Sequence, residues 1–267
     1  MHQDTPQELT GRVALVTGAG RGLGYAAADA LARSGARIAV VDVSEETARQ
    51  AAGDFDAISE AEAYTLDVSD ATAVSSTVEA VAERFGTVDI LVHCAGISRG
   101  STQKDEEGNW LPMESVLESD WHQVIETNLS GTFFMNQAVA KLMIAQNRGR
   151  IVNVASMSAL VANKGLVGLG PYSASKGGIV SLSTVLAVEW AQYNITVNCI
   201  SPGYMATEMG KRSQVMPGFK ELQLDNTPVR RLGEPREFAR AVLYLVADDA
   251  AYMTGHNMVL DGGYTAW

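Results

Sequence analysis

Tyr172 and Lys176 stand four residues apart in the run Pro171-Tyr-Ser-Ala-Ser-Lys176. On a helix that spacing is one turn, so a phenol and an ammonium share a face. A fixed cation beside a tyrosine favours the phenolate and lowers the phenol's pKa from about 10. Such a phenol takes a proton from an alcohol, or gives one to a ketone, near neutral pH. Far upstream, Thr17-Gly-Ala-Gly-Arg-Gly-Leu-Gly24 follows an apolar run and precedes an alanine-rich helical pattern, Tyr25-Ala-Ala-Ala-Asp-Ala-Leu31. Glycines in that context let the backbone approach a pyrophosphate, and the helix N-terminus adds N–H groups and a positive dipole end. A proton donor beside a nicotinamide dinucleotide means hydride transfer.

The elements that must position these groups alternate along the chain. Arg12–Thr17, Ala36–Asp42, Ala63–Asp67, Val88–His93, Arg150–Ala155, Ile195–Ile200 and Met258–Leu260 read as strands. Helical patterns lie between them: Gly22–Ser34, Ser44 to about Gly53, a segment capped at Ser69 or Asp70 and ending by Gly86, Glu118–Gln146, Tyr172–Gln192 and Glu234–Ala247. Continuous apolar strands separated by helices predict a parallel sheet covered on both faces. The expected fold is α/β: one doubly wound, seven-stranded parallel sheet in a single domain over residues 1–267. Two stretches break the rhythm, Ser98–Ser115 and Ser201–Thr227. Loops of that length in a compact domain serve as lids or substrate walls.

Composition narrows the function classes. The chain has 267 residues, is 46% hydrophobic and carries a net charge of −11. Mean hydropathy is +0.01, which fits a soluble globular protein with ample material for a core. The negative charge and the lack of any basic block speak against nucleic-acid binding. Cys94 and Cys199 lie in apolar runs and read as small core residues in a reducing compartment, not as a disulfide. The N-terminal segment is polar and acidic, unlike a targeting peptide, and the most apolar helical stretch, Ile179–Ala191, contains Glu189 and is too short to span a bilayer. A cytoplasmic protein without membrane association is expected. The four histidines show no ligand spacing, so no metal site emerges, and His93 reads as a strand-core residue.

Several further residues are candidates, each with an ordinary alternative. Asp42 ends the second strand, 18 residues beyond Gly24, where an acid accepts hydrogen bonds from the adenosine ribose hydroxyls and repels a 2′-phosphate. A strand-end or capping aspartate is the plain alternative, and Arg21 pulls toward a phosphate. Asp67 could meet the adenine amino group or cap the helix that follows. Ser156 and Ser158 follow a strand and so lie at the sheet's carboxyl edge, where such sheets bind ligands, although serines there are often only turn formers. Asn128 falls mid-helix, where asparagine is a poor choice; a buried polar task or a solvent-facing side chain would explain it.

Taken together the chain resembles the short-chain dehydrogenase/reductase family over essentially its whole length, with a Rossmann-like fold. The matching residues in order are Thr17-Gly18, Gly22 and Gly24, Asp67-Val68, Ala95-Gly96, Asn128, Ser156, Tyr172 with Lys176, Pro202-Gly203 with Thr207, and Asp261-Gly262-Gly263. The resemblance implies that Tyr172 is the general acid/base and that Ser156 hydrogen-bonds the reacting oxygen. It implies that Lys176 holds the nicotinamide ribose, and that Asn128 anchors a water leading protons toward the lysine. Cofactor contacts would come from Gly18, Arg21, Gly22, Leu23, Gly24, Asp42, Asp67, Val68, Ala95, Gly96, Pro202, Gly203, Met205 and Thr207 as well as Tyr172 and Lys176. Family members usually form tetramers through two long helices, so a homotetramer is expected.

Three departures stand out. His93-Cys94 replaces the usual asparagine pair before Ala95-Gly96, removing an amide that braces the central strands. Ser156 precedes Tyr172 by 16 residues, more than is common, which leaves Ser158 as a rival; Ser156 is preferred because it follows Asn153 by three. Ser98–Ser115 is longer than usual and belongs at the mouth of the cleft. The expected activity is an NAD(H)-dependent interconversion of a secondary alcohol and a ketone, with a polyol or sugar as substrate. This expectation draws on the similarity of Asn198–Met209 to polyol and sugar-acid dehydrogenases. An NADPH-dependent 3-oxoacyl reductase is the alternative within the enzyme class, and a non-catalytic nucleotide-binding protein the alternative outside it.

Overall fold

Val13–Thr17 is buried at every position, the condition for a strand covered on both faces. The computed structural model describes residues 9–99, 105–106, 108–163, 165–207 and 219–267. Along the chain they form β1 (Val13–Thr17), α1 (Gly22–Arg33), β2 (Arg37–Asp42), α2 (Glu45–Asp56), β3 (Ala61–Thr65), α3 (Ala71–Phe85) and β4 (Ile90–His93). There follow α4 (Glu118–Ile125), a π turn (Glu126–Ser130), α5 (Gly131–Ala145), β5 (Gly149–Val154) and α6 (Gly170–Trp190). β6 (Ile195–Pro202), α7 (Phe219–Asp225), α8 (Pro235–Val246) and β7 (Asn257–Leu260) complete the order.

The seven strands form one sheet in the order β3-β2-β1-β4-β5-β6-β7. Every neighbouring pair is parallel, as expected from the unbroken alternation. The strand order reverses direction between β1 and β4, so the carboxyl ends of those two strands frame the crevice where such sheets bind ligands. The period-two geometry of a strand divides the core. Ala14 and Val16 join Leu31, Phe55, Phe238 and Val242 on the face covered by α1, α2 and α8. Val13 and Leu15 join Val78, Met135, Val139 and Leu186 on the face covered by α3, α5 and α6.

Local chemistry sets the element ends. The Asp70 carboxylate accepts from the backbone N–H of Thr72 and Ala73 and so caps α3, which Gly86 closes in the left-handed conformation. β3 stops at Thr65, so Asp67 lies beyond the strand, not at its end. Its Oδ1 accepts from the Ser69 amide at 2.9 Å and the Ser69 hydroxyl at 2.7 Å. The capping role is therefore Asp70's. The stretch Glu118–Gln146, read as one helix, is divided by the π turn. Each of the two irregular stretches also contains a short helical element, a 3₁₀ turn at Met113–Ser115 and α7. Among the described residues no helix is long and apolar enough to cross a membrane.

Phe238 is fully buried between α8 and the sheet, whereas Tyr244 on the same helix is 51% exposed. Phe238→Ala should destabilise the fold by about 3–5 kcal/mol through lost burial and the cavity left behind. Tyr244→Ala should change it by less than about 0.5 kcal/mol. Urea denaturation checks both: the midpoint should fall for the first variant alone, with little change in slope.

Candidate active site

Asn128 sits in the π turn and is fully buried, which removes the solvent-facing explanation for an asparagine in mid-helix. Its Oδ1 accepts the Ile97 amide at 2.8 Å, and its Nδ2 donates to the Ile97 carbonyl at 2.8 Å. The side-chain amide thus acts as a neighbouring strand for the chain leaving β4. Nδ2 also donates to Ser175 Oγ at 3.0 Å, and that hydroxyl donates to the Tyr172 carbonyl at 2.7 Å. A single extra residue in the turn aims this amide inward; π turns of this kind gather at functional sites.

Tyr172 and Lys176 lie in the first two turns of α6, whose start is favoured by Pro171 near its N-terminus. The Lys176 ammonium is 4% exposed and donates to the Val154 carbonyl at the end of β5, at 2.7 Å. It stands 5.7 Å from the centre of the Tyr172 ring. Burial lowers the lysine to about 8, with no carboxylate beside it to oppose the shift. Tyr172 keeps part of its surface accessible, yet burial raises its phenol above the ordinary value. A hydrogen bond with Ser156 is the influence that works in the other direction. The sequence predicts a lowered phenol; here burial outweighs the Ser156 hydrogen bond, and the ammonium is directed at the Val154 carbonyl.

The two serines occupy different positions. Ser156 Oγ accepts the Ser158 amide at 3.1 Å and faces the Tyr172 hydroxyl. Ser158 Oγ instead donates to Asn163 Oδ1 at 2.7 Å. Of the two, Ser156 is the one beside the phenol.

The glycine turn reaches this cluster through Ala95-Gly96. A Cβ on Gly18, whose φ is +63°, would lie 3.0 Å from the Ala95 nitrogen. One on Gly96 would lie 3.0 Å from Asn128 Oδ1 and 3.5 Å from Lys176 Nζ. A Cβ on Gly24 would collide with the Gly18 carbonyl oxygen, so only glycine lets α1 pack against the turn. Outward from Gly22, at φ +63°, nothing stands closer than the Thr207 side chain at 3.9 Å. The N-terminus of α1 has no side-chain cap, with Arg21 exposed at the cap position and Leu23 packed toward the core. An open glycine turn with uncapped N–H groups suits a dinucleotide pyrophosphate.

Asp42 closes β2 beside that turn. Its Oδ2 accepts the Gly20 amide at 3.0 Å and its Oδ1 accepts the Ser44 amide at 3.1 Å. Each oxygen retains acceptor capacity for a ribose hydroxyl. Val68 is buried against Gly131 at the start of α5. Pro202 ends β6, the Gly203 amide donates to Leu260 at 2.9 Å, and buried Met205 pairs with Gly233. These place Thr207 opposite the glycine turn. Among the described residues no group of side chains could hold a metal ion.

His93 takes over part of the brace that the missing amide would supply. Its Nδ1 lies 2.9 Å from Thr17 Oγ1, which accepts the Ala95 amide at 3.1 Å. The ring tautomer sets which of Nδ1 and Oγ1 donates, and Nε2 is buried without a partner among the described residues. Burial, with Lys176 nearby, holds the imidazole down to about 3, so it is neutral. Burial likewise pushes the Cys94 thiol up to about 12 and the Cys199 thiol up to about 11, and both cysteines are free. Asn163, Tyr204 and Tyr264 were not singled out by sequence. They come from three separate loops, and no periodicity or spacing marks them.

Known proteins share this arrangement. A family model described as enoyl-(acyl carrier protein) reductase matches residues 18–265. D-threitol dehydrogenase of Mycolicibacterium smegmatis is 42% identical over 258 residues, covering 96% of this chain and 94% of the relative. The structure of an NAD⁺-bound xylitol dehydrogenase superposes with a TM-score of 0.86 at 34% identity, covering 96% of this chain and 100% of the other. A gluconate 5-dehydrogenase from Burkholderia cenocepacia, in complex with NADP and tartrate, superposes with a TM-score of 0.88 at 32% identity, covering 98% of each chain. With its doubly wound sheet, glycine turn and Asn128–Ser156–Tyr172–Lys176 cluster, the chain belongs to the short-chain dehydrogenase/reductase family.

Proposed function

We propose that this protein interconverts a secondary alcohol and a ketone, with NAD(H) as hydride partner and a polyol or sugar-type compound as substrate. The observation that carries the reading is the Ser156–Tyr172 hydroxyl pair, set on one side of Lys176, with the glycine turn on the other. The polyol assignment draws on the threitol and xylitol dehydrogenases named above. A cytoplasmic location fits the two free, protonated thiols. A homotetramer fits Phe133 on α5 and Val185 and Val188 on α6, which stay exposed.

The bound nicotinamide supplies a hydride acceptor in oxidation and a donor in reduction. The chain's own residues handle the proton and the geometry. Ser156, with its oxygen already accepting the Ser158 amide, turns its proton toward the substrate oxygen and fixes where that oxygen sits. Tyr172 then takes the alcohol proton, or returns it to the ketone. Lys176 holds a positive charge near the phenol and would hold a nicotinamide ribose, anchored by Val154 so that it does not swing toward solvent. Asn128 fixes the Gly96–Ile97 backbone between the two halves of the site. The Asn128 side chain is committed to Ile97 and Ser175, so a water held by this residue would have to share its backbone carbonyl with the Thr132 hydroxyl and the Gly131 amide.

Asp42 supports NAD over NADP. A 2′-phosphate would bring about two negative charges against a carboxylate that two amides hold in place. Arg21 is the opposing cation, but it is exposed. An NADPH-dependent 3-oxoacyl reductase is the rival, and it draws on the 34% identity over 256 residues to a 3-oxoacyl-[acyl-carrier-protein] reductase of Thermotoga maritima. Nicotinamide absorbance with NAD or NADP and a panel of polyols and 3-oxoacyl thioesters separates the two, and complete inactivity with intact nucleotide binding would point to a non-catalytic protein.

Tyr172→Phe should lower turnover on the order of 10²–10⁴-fold while leaving NAD binding nearly intact. Retention of more than about a tenth of the wild-type rate would rule out the phenol as the acid/base. Ser156→Ala should cost roughly a hundredfold or more in turnover and Ser158→Ala far less, read from steady-state kinetics; reversed magnitudes would move the role to Ser158.

Cofactor choice is checked by the ratio of specificity constants. Wild type should prefer NAD by at least about tenfold, or about 1.4 kcal/mol. Asp42→Ala should erode that preference as the carboxylate's repulsion is lost. Equal wild-type constants for the two cofactors would show that Arg21 outweighs Asp42.

A further inference from the structure

We propose that Ser175 is a positioning residue for the alcohol–ketone reaction. Its hydroxyl ties the first turns of α6, which carry Tyr172, to the amide of Asn128 and so sets where the phenol stands. The inference rests on the alcohol–ketone reading and deepens it, because it assigns a further residue to the proton-transfer step.

A serine hydroxyl that bonds a carbonyl three residues back is ordinary in a helix. Ser175 does more than that. Its Oγ donates to the Tyr172 carbonyl at 2.7 Å and accepts from Asn128 Nδ2 at 3.0 Å, so one oxygen joins two elements. Both side chains are fully buried, so water offers neither a substitute partner. Asn128 has two amide protons, and the other goes to the Ile97 carbonyl at 2.8 Å. Without the serine oxygen a buried N–H would have no partner, and the amide that holds the chain beside Gly96 would lose its second anchor.

The start of α6 needs such a tie. The residue at its N-cap, Leu169, supplies no side-chain cap. Gly177 and Gly178 follow directly on Lys176, and glycine inside a helix lowers its stability. Gly178 has a packing reason: a Cβ there would come within 2.8 Å of the Leu129 side chain, so glycine lets α6 lie close to the π turn. Gly177 has no such reason, since a Cβ there would meet nothing closer than the Ala159 carbonyl oxygen at 4.0 Å. The stretch that carries both Tyr172 and Lys176 is therefore a helix of low intrinsic stability, held from the side. Ser175 and Gly178 both meet the π turn, one through a hydrogen bond and one through close packing. The phenol must stay in reach of Ser156, and a misplacement of about 1 Å in a reacting group can cost on the order of a hundredfold in rate.

The test uses the full-length protein, its preferred nicotinamide cofactor and the panel substrate that wild type turns over fastest, beginning with D-threitol and xylitol. Ser175→Ala should lower kcat by at least about tenfold and leave KM within about twofold, the pattern of an interaction that matters in the transition state. Gly177→Ala raises helix propensity and so separates positioning from stability. Added to Ser175→Ala, it should restore the melting temperature that the serine variant loses and leave kcat low. Recovery of kcat together with the melting temperature would show that the hydroxyl only stabilises the helix, and would overturn the proposal. A Ser175→Ala enzyme that keeps more than about half of the wild-type kcat, or that changes in KM alone, overturns it as well. None of these outcomes touches the alcohol–ketone reading, which Tyr172→Phe tests. A wild type inactive on the whole panel overturns that reading, and the part of Ser175 in it.

Discussion

The side-chain amide of Asn128 joins parts of the site that no strand or helix could join alone. It satisfies both the N–H and the C=O of Ile97 and then reaches Ser175 on α6. The chain leaving β4 would otherwise carry two partly buried backbone groups without these partners. Held this way, Gly96 is locked against Lys176, and Ala95 against Gly18. The distance between the glycine turn and α6 thus depends on one carboxamide. Its direction depends on the π turn, which shifts that position off the regular helical face.

Burial governs the electrostatics within this frame. Lys176, His93, Cys94 and Cys199 all shift toward their neutral forms for the same reason, their burial. Lys176 remains cationic at neutral pH because burial brings it only to about 8 and the Val154 carbonyl accepts one of its protons. His93 contributes a neutral ring that ties β4 to β1 through Thr17, so replacing an amide by an imidazole adds no second positive charge beside the lysine. With Tyr172 also raised by burial, the resting site holds a protonated phenol above an ammonium. That is the protonation state from which a ketone can be reduced directly, whereas alcohol oxidation begins after the phenol gives up its proton.

Most of the sheet was legible in the sequence because its strands are apolar without alternation and its glycines punctuate them. The boundaries that moved did so through local hydrogen bonding. Asp67 turned its carboxylate onto Ser69 and left the third strand two residues short, and Asp70 took the cap. The π turn was invisible to periodicity, although Asn128's misfit in a helical run was its trace. The direction of the Lys176 ammonium was not legible for a different reason. Spacing places two groups on one face, but the carbonyl of Val154, from another element, decides where the ammonium points.

The substrate side was least legible, and the reason lies in how such a site is made. Cofactor contacts come from turns whose backbone shape requires glycine, so residue type alone betrays them: Gly24 cannot carry a Cβ at all. Ser158, Asn163 and Tyr204 are held by one another's side chains, and each residue type is unremarkable in a loop. The arrangement separates two requirements physically. Asn128 and Lys176 are fixed by backbone groups at the strand ends, while the loops after β5 and β6 are held to one another by side chains.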